Sequence, residues 1–213
     1  MSFIIMDFDG TLANTFDLSL DILNDIVDDF GLPHFTEEQI VRARSMHVSQ
    51  ALREHGFKAT QVALASVAFQ RKLEAHKVKL VPIKGIKDAV LELSKLHDLS
   101  IVSSNNTSFI KEFLEKFGMN YFDPIVGGVS LLGKSSKIKK LVKSFQTDLA
   151  NCIYVGDEVR DVEAARKVGI KVVSVTWGFN DRNSLEKARP DRIVDDPVEL
   201  IPLTYSAMGG SGT

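Results

Sequence analysis

Acidic residues in this chain gather where strands would end. Asp7 and Asp9 stand two apart in Asp7-Phe8-Asp9-Gly10-Thr11, directly after the apolar run Phe3–Met6. Asp157 and Asp161 lie four apart, with Glu158 between them, directly after the apolar run 152–155. Residues four apart share one face at a helix start. Crowding Asp7, Asp9, Asp157 and Asp161 onto one sheet edge sets like charges against each other, a cost that a cation relieves. Oxygen-only ligands of this kind suit Mg²⁺ rather than zinc or copper. Two more polar groups are placed in the same way. Ser103-Ser104-Asn105-Asn106 closes the run 99–103, and Lys134 follows the turn Gly127-Gly128 and opens a helix.

Those residues need elements to position them. The run Phe3–Met6 is short, apolar and partly β-branched, and a turn follows, as expected of a buried strand in a parallel sheet. Leu18, Ile22, Ile26 and Phe30 then recur every four residues, which predicts a helix that Gly31 and Pro33 end. Thr36-Glu37-Glu38-Gln39 carries a capping sequence for a second helix. A third is predicted over 60–77, so residues 16–78 read as all-helical. From residue 81 onward helices and strands alternate. Helices are predicted over 86–96, 108–117, 135–145 and 159–168, and strands over 99–103, 124–126, 152–155 and 172–175, with an edge strand at 193–194. Such alternation predicts an α/β fold, a doubly wound parallel sheet with helices on both faces. The predicted division is 1–15 with 79–213 as the core and 16–78 as a helical insertion. Ligands bind such sheets at the carboxyl ends of the strands, where the polar residues fall.

Composition narrows the classes. The chain has 213 residues, of which 44% are hydrophobic and 25% charged, as in an ordinary globular protein. Its net charge is −2, without the basic surplus expected of a nucleic-acid binder. The single cysteine, Cys152, excludes an internal disulfide framework and a cysteine-rich zinc site. The apolar start breaks at Asp7, so neither a signal peptide nor a membrane span is expected, and the protein is expected in the cytoplasm. No obligate protein partner is evident. The tail Gly209-Gly210-Ser211-Gly212-Thr213 reads as flexible by composition. His34, His47, His55, His76 and His97 show no metal-ligand spacing.

With these residues in view, the chain resembles the haloacid dehalogenase superfamily of phosphohydrolases. Asp7-Phe8-Asp9-Gly10-Thr11 matches that superfamily's nucleophile motif, Ser103 its second motif, Lys134 its third, and Gly156-Asp157-Glu158 through Asp161 its fourth, in the right order. The helical insertion is similar to the cap of the phosphoglycolate phosphatase and β-phosphoglucomutase branch. Trp177-Gly178 and Pro190-Asp191-Arg192-Ile193 look like the phosphoglycolate phosphatase subgroup. The resemblance implies a Rossmann-like core with an inserted all-helical cap. It also implies a Mg²⁺-dependent phosphatase acting on a small phosphorylated metabolite, such as 2-phosphoglycolate, through an aspartyl phosphate. Asp7 would be the nucleophile and Asp9 the general acid and then base. Asp7, the Asp9 carbonyl and Asp157 would hold Mg²⁺, supported by Glu158 and Asp161. Gly10, Thr11, Ser103, Ser104 and Lys134 would bind the phosphate, and Arg44 and His47 of the cap would select the substrate. Arg44 could there pair with a substrate carboxylate.

Other readings use the same residues. Asp-Gly-Thr is a common turn, and Ser103 or Lys134 alone reads as a loop hydroxyl or a surface lysine. A sugar phosphomutase of the β-phosphoglucomutase kind shares all four motifs. A dehalogenase needs the nucleophile but neither Asp9 nor Asp157. A non-catalytic Mg²⁺-binding module, such as a receiver domain, also combines acids, a hydroxyl and a lysine. Its phosphoacceptor follows a later strand, however, and it carries no cap.

Overall fold

The structure is a computed structural model and describes residues 2–46, 48–129 and 133–203. Six parallel strands form one sheet in the order β3-β2-β1-β4-β5-β6. They are β1 (Phe3–Met6), β2 (Asp98–Val102), β3 (Phe122–Val126), β4 (Cys152–Gly156), β5 (Lys171–Val175) and β6 (Arg192–Val194). The central strand β1 pairs with β2 on one side and β4 on the other; Met6 is level with Ile101 and with Val155. The first acidic motif therefore leaves the sheet between the two strands that deliver Ser103 and Asp157. The connections run outward in both directions from β1, which places a crevice at the β1/β4 boundary.

β1 is buried throughout, and its residues serve the two faces in turn. Ile4 and Met6 pack with α5 (Ile86–Ser94) and α6 (Thr107–Phe117), through Val90, Leu93, Phe109 and Ile110. Phe3 and Ile5 pack with α7 (Lys134–Ser144) and α8 (Val159–Val168), through Ile138, Leu141, Val142 and Val162. This explains a continuous apolar run where alternation would mark a half-exposed strand.

Four helices intervene between β1 and the rest of the sheet: α1 (Thr15–Asp29), α2 (Glu37–Ala43), α3 (Val48–Glu54) and α4 (Ala59–Ala75). They form the helical cap. Thr36 caps α2 as its sequence predicts: Thr36 Oγ1 accepts from Gln39 N at 3.2 Å and Gln39 Oε1 from Thr36 N at 2.9 Å. Leu18, Ile22, Ile26, Leu52, Phe57 and Leu73 continue the apolar core from the sheet into the cap. Element ends differ from the sequence expectation by one or two residues. Two helices, α3 in the insertion and α9 (Arg182–Ala188), have no counterpart there, since seven residues are too few to show a period. No helix among the described residues is long and apolar enough to cross a membrane.

Candidate active site

The motif after β1 folds around Phe8. Its ring is buried against Phe109 and Phe113. Its carbonyl accepts from Leu12 N and Ala13 N at 2.9 and 3.0 Å. Burying the residue between the two aspartates sends Asp7 and Asp9 to different partners. Asp7 N extends the sheet by donating to Val155 O at 2.9 Å, and Asp7 Oδ1 accepts from Phe8 N at 2.7 Å. Asp7 Oδ2 meets Lys134 Nζ at 2.5 Å.

Lys134 is the first residue of α7 and is buried. Its ammonium bridges Asp7 and Asp161, with 2.5 Å to each, and lies 5.4 Å from the Tyr154 ring centroid. Burial pulls its pKa down, but Asp161 and Asp7 outweigh that and hold it well above the usual lysine value. The lysine is therefore a fixed cation. Asp161 is the third helical residue of α8, where its Oδ2 accepts from Glu158 N at 3.1 Å in a capping box. Glu158 itself pairs with Arg160. Both oxygens of Asp161 thus have partners, and its geometry serves to hold Lys134.

Asp157 directly follows β4 and is fully buried. Thr11 Oγ1 donates to its Oδ1 and Phe179 N to its Oδ2, both at 2.8 Å. Gly10 and Gly178 press against the same carboxylate, and a Cβ on either would overlap it; Gly10 also has φ +70°. Burial, then the charges of Asp161 and Asp7, push the Asp157 pKa up to about 8. The carboxylates of Asp7, Asp157 and Asp161 bring oxygens within 4.8 Å of one another. This buried, hard-oxygen donor set fits a divalent cation, which would favour the ionised forms that burial disfavours. Lys134 covers one oxygen each of Asp7 and Asp161, whereas the partners of Asp157 are a hydroxyl and a backbone amide, neither of them charged.

Asp9 turns toward β2. Its Oδ2 lies 3.4 Å from Ser103 Oγ, and its Oδ1 accepts from Asn105 Nδ2 at 3.2 Å. Asn105 N in turn donates to Ser103 Oγ at 3.1 Å. Burial, then the charge of Asp7, raise the Asp9 pKa to about 6 against the Asn105 hydrogen bond, which lowers it. The sequence shows Asn105 only as a polar residue in the turn after the second motif, since nothing in the local spacing links it to a residue 96 positions away.

Several expected phosphate contacts are arranged differently. The Gly10 amide donates inside its own loop, to Thr15 Oγ1 at 2.8 Å and Ala13 O at 3.0 Å, and the Thr11 hydroxyl faces Asp157. A five-residue turn around a buried Phe8 consumes those donors. Ser104 lines a cavity of about 400 Å³ with Asn105, Thr107, Gly127, and Leu73 and Glu74 of α4. Arg44 departs most from expectation. Its Nε and Nη2 donate to the backbone carbonyls of Thr176, Gly178 and Phe179 at 3.4, 2.8 and 3.3 Å. Those donors are therefore not offered to a substrate carboxylate. His47 lies outside the described residues.

The parallel sheet in this strand order carries Asp7 directly after its central strand and a helical insertion beyond that motif. Residues 4–175 match the model of the haloacid dehalogenase-like hydrolase family, and the chain belongs to that family. Within it the chain falls in the phosphoglycolate phosphatase-like branch and is a phosphatase-type hydrolase. A phosphoglycolate phosphatase from Synechococcus elongatus is 36% identical over 210 residues, covering 98% of this chain and 99% of that protein. One from Agrobacterium fabrum is 24% identical over 220 residues, covering 98% and 94%. A haloacid dehalogenase-like family hydrolase from Streptococcus pneumoniae superposes with a TM-score of 0.80 at 22% identity, covering 94% and 97% of the two chains. At that identity the likeness speaks for the fold alone.

Proposed function

We propose that this protein is a Mg²⁺-dependent phosphatase of a small phosphorylated metabolite, working through a phosphoryl group carried on Asp7. The observation that carries the reading is the division of labour among four buried or half-buried carboxylates. Lys134 holds Asp7 and Asp161, while Ser103 and Asn105 hold an Asp9 whose pKa is raised toward neutrality. Asp7 is fixed by Phe8 N and Lys134, ready to attack phosphorus. Asp9, protonated below about pH 6, donates to the departing oxygen and then takes a proton from the water that cleaves the aspartyl phosphate. Lys134 balances the charge that builds as a carboxylate meets a phosphate. Ser103 lies beside Asp9 with a hydroxyl to offer a phosphoryl oxygen. Mg²⁺, held by Asp7 and Asp157, would supply further neutralisation of the phosphate charge.

Residues 16–78 act as the cap domain over a core of 1–15 and 79–213. Closing it keeps bulk water from the reacting groups. Phosphoglycolate is the first substrate to test, because the cyanobacterial relative named for it aligns along the whole chain. The deciding experiment measures phosphate release from a panel of phosphorylated metabolites, with and without Mg²⁺, beside a rapid acid quench that traps phosphate on Asp7. Turnover without a protein-bound phosphate, or undiminished turnover in chelator, contradicts the reading. Isomerisation of a hexose 1-phosphate in place of release would assign the chain to the mutases.

A further inference from the structure

We infer that Arg44 is a positioning residue that couples the seating of the helical cap to the Asp157 carboxylate. The inference rests on the proposed role of Asp157 as a cation ligand.

Arg44 stands at the carboxyl end of α2, where the helix leaves its last carbonyls without partners inside the helix. Its own carbonyl accepts from Asn180 Nδ2 at 2.8 Å and Asp181 N at 3.1 Å, both in the loop after β5. Its guanidinium reaches the same loop and takes the carbonyls of Thr176, Gly178 and Phe179. Three carbonyl oxygens converging on one point repel one another unless a donor group lies between them, and a planar guanidinium supplies several donors in fixed directions. The Phe16 ring, at the start of α1, lies 4.8 Å below the guanidinium carbon, and 5.6 Å from the Phe179 ring. Five hydrogen bonds thus join the end of α2 to a single core loop, and Phe16 of α1 contacts both Arg44 and Phe179.

That loop is what holds Asp157. Phe179 N donates to Asp157 Oδ2, Gly178 packs against the carboxylate without a side chain, and Trp177 Nε1 donates to Thr11 O at 3.1 Å. Thr11 supplies the other hydrogen bond to Asp157. The peptide between Gly178 and Phe179 has its carbonyl on Arg44 and its N–H on the Asp157 carboxylate, and the following carbonyl, that of Phe179, is on Arg44 too. Withdrawing α2 frees these carbonyls to rotate toward water, and the amide of Phe179 loses the constraint that aims it at Asp157. A seated cap therefore favours the carboxylate orientation that the cation needs, and the cation favours the seated cap by the same factor. A residue that contacted substrate would alter the ranking of substrates. A residue that acts through Asp157 lowers all of them together.

The test compares Arg44→Ala and Arg44→Lys with Arg42→Ala, an exposed arginine of the same helix paired with Glu54. In metal-free protein, amide hydrogen exchange read residue by residue should show Phe179 N exchanging at least about 10-fold faster in Arg44→Ala. The β4 amides should be unchanged. Calorimetry with Mg²⁺ should give a dissociation constant raised about 3- to 10-fold, a coupling in the ordinary range. The lysine variant, which can reach fewer of the carbonyls, should fall between, and Arg42→Ala should match the parent. Activity on p-nitrophenyl phosphate and on metabolite phosphates should fall in the same proportion. Unchanged exchange at Phe179 in either Arg44 variant overturns the inference, as does a changed substrate ranking with unchanged Mg²⁺ affinity. Asp157→Asn separates the two claims. If it leaves Mg²⁺ affinity intact, the ligand role fails, while the exchange data still decide whether Arg44 orders the loop. Should Arg44→Ala not fold, Arg44→Lys carries the same readouts.

Discussion

Replacing Lys134 with methionine keeps the volume of the side chain and removes its charge, which isolates the electrostatics of the site. In the folded chain Lys134 Nζ lies 2.5 Å from both Asp7 and Asp161, and all three side chains are buried. Removing one partner from a buried ion pair costs about 3–5 kcal/mol, because the remaining charge stays desolvated. Here two carboxylates would remain, and one of them would bind a proton instead. The sign follows from linkage. A carboxyl whose folded pKa is raised above its unfolded value binds a proton that the unfolded chain has released. Between those two values stability falls as pH rises, by up to about 1.4 kcal/mol per pH unit for one proton. The loss in Lys134→Met should therefore be about 3–5 kcal/mol at pH 8 and shrink steadily toward pH 5. Urea unfolding in chelator at four pH values, parent and variant side by side, measures it; the parent's own slope from Asp157 cancels in the difference, while Asp9, whose pKa Lys134 helps to hold down, adds to the trend in the same direction. Adding Asp161→Asn should restore part of the loss at pH 8 and little at pH 5. A loss below about 1 kcal/mol at pH 8, or one of the same size at every pH, would refute the reasoning.

Three further outcomes are expected. Asp7→Asn removes the attacking charge while keeping shape, so turnover should drop at least about 10³-fold with the far-UV spectrum unchanged; retention of a tenth of the activity would exclude Asp7 as nucleophile. Asn105→Ala removes the hydrogen bond that holds the Asp9 pKa down, so the alkaline limb of the kcat profile should move to higher pH, and a shift to lower pH would show that Asp9 is not the acid. Protons compete with the cation for Asp157, whose pKa is pushed up to about 8, so Mg²⁺ affinity should rise about 50-fold from pH 6 to pH 8; calorimetry showing a flat profile would remove Asp157 from the ligand set.

Much of this arrangement is legible in the sequence, for physical reasons that differ by residue. Asp7 and Asp157 are readable because a parallel strand buried on both faces must be apolar, and its first polar residue marks the carboxyl edge. Asp161 is readable as part of a helix start, and its spacing from Asp157 fixes the face. Lys134 shows only as a residue opening a helix; its partners are 127 and 27 positions away, and no local period encodes them. The Phe179 amide cannot be read at all, since a backbone donor has no side-chain signature. Arg44 is visible as a charge, but its direction is set by the loop it meets. The sequence therefore points it toward substrate, where the fold turns it onto carbonyls. The helix α9 is too short for periodicity, and its Asp181 cap, with Oδ1 accepting from Ser184 N at 2.7 Å, is the sole local cue.

The four acidic side chains are chemically alike, so only their surroundings can give them separate tasks. Asp161 has a lysine on one oxygen and a backbone amide on the other, and neither is free to leave. Asp157 has a hydroxyl and a backbone amide, neutral donors that orient it without pairing its charge, so a cation competes there only with a proton. Asp9 has a weak hydroxyl contact and a neutral amide donor in a desolvated position, which leaves it inclined to keep a proton near pH 6. Asp7 has the same kinds of partner as Asp161, Lys134 on one oxygen and a backbone amide on the other, and differs in its place, directly after the central strand with its own amide on Val155 O. Environments that separate the proton affinities of like groups are how acid and base tasks are divided within one site. By that criterion the proposed mechanism gives proton delivery to Asp9, and it gives attack to Asp7 by its place at the end of the central strand.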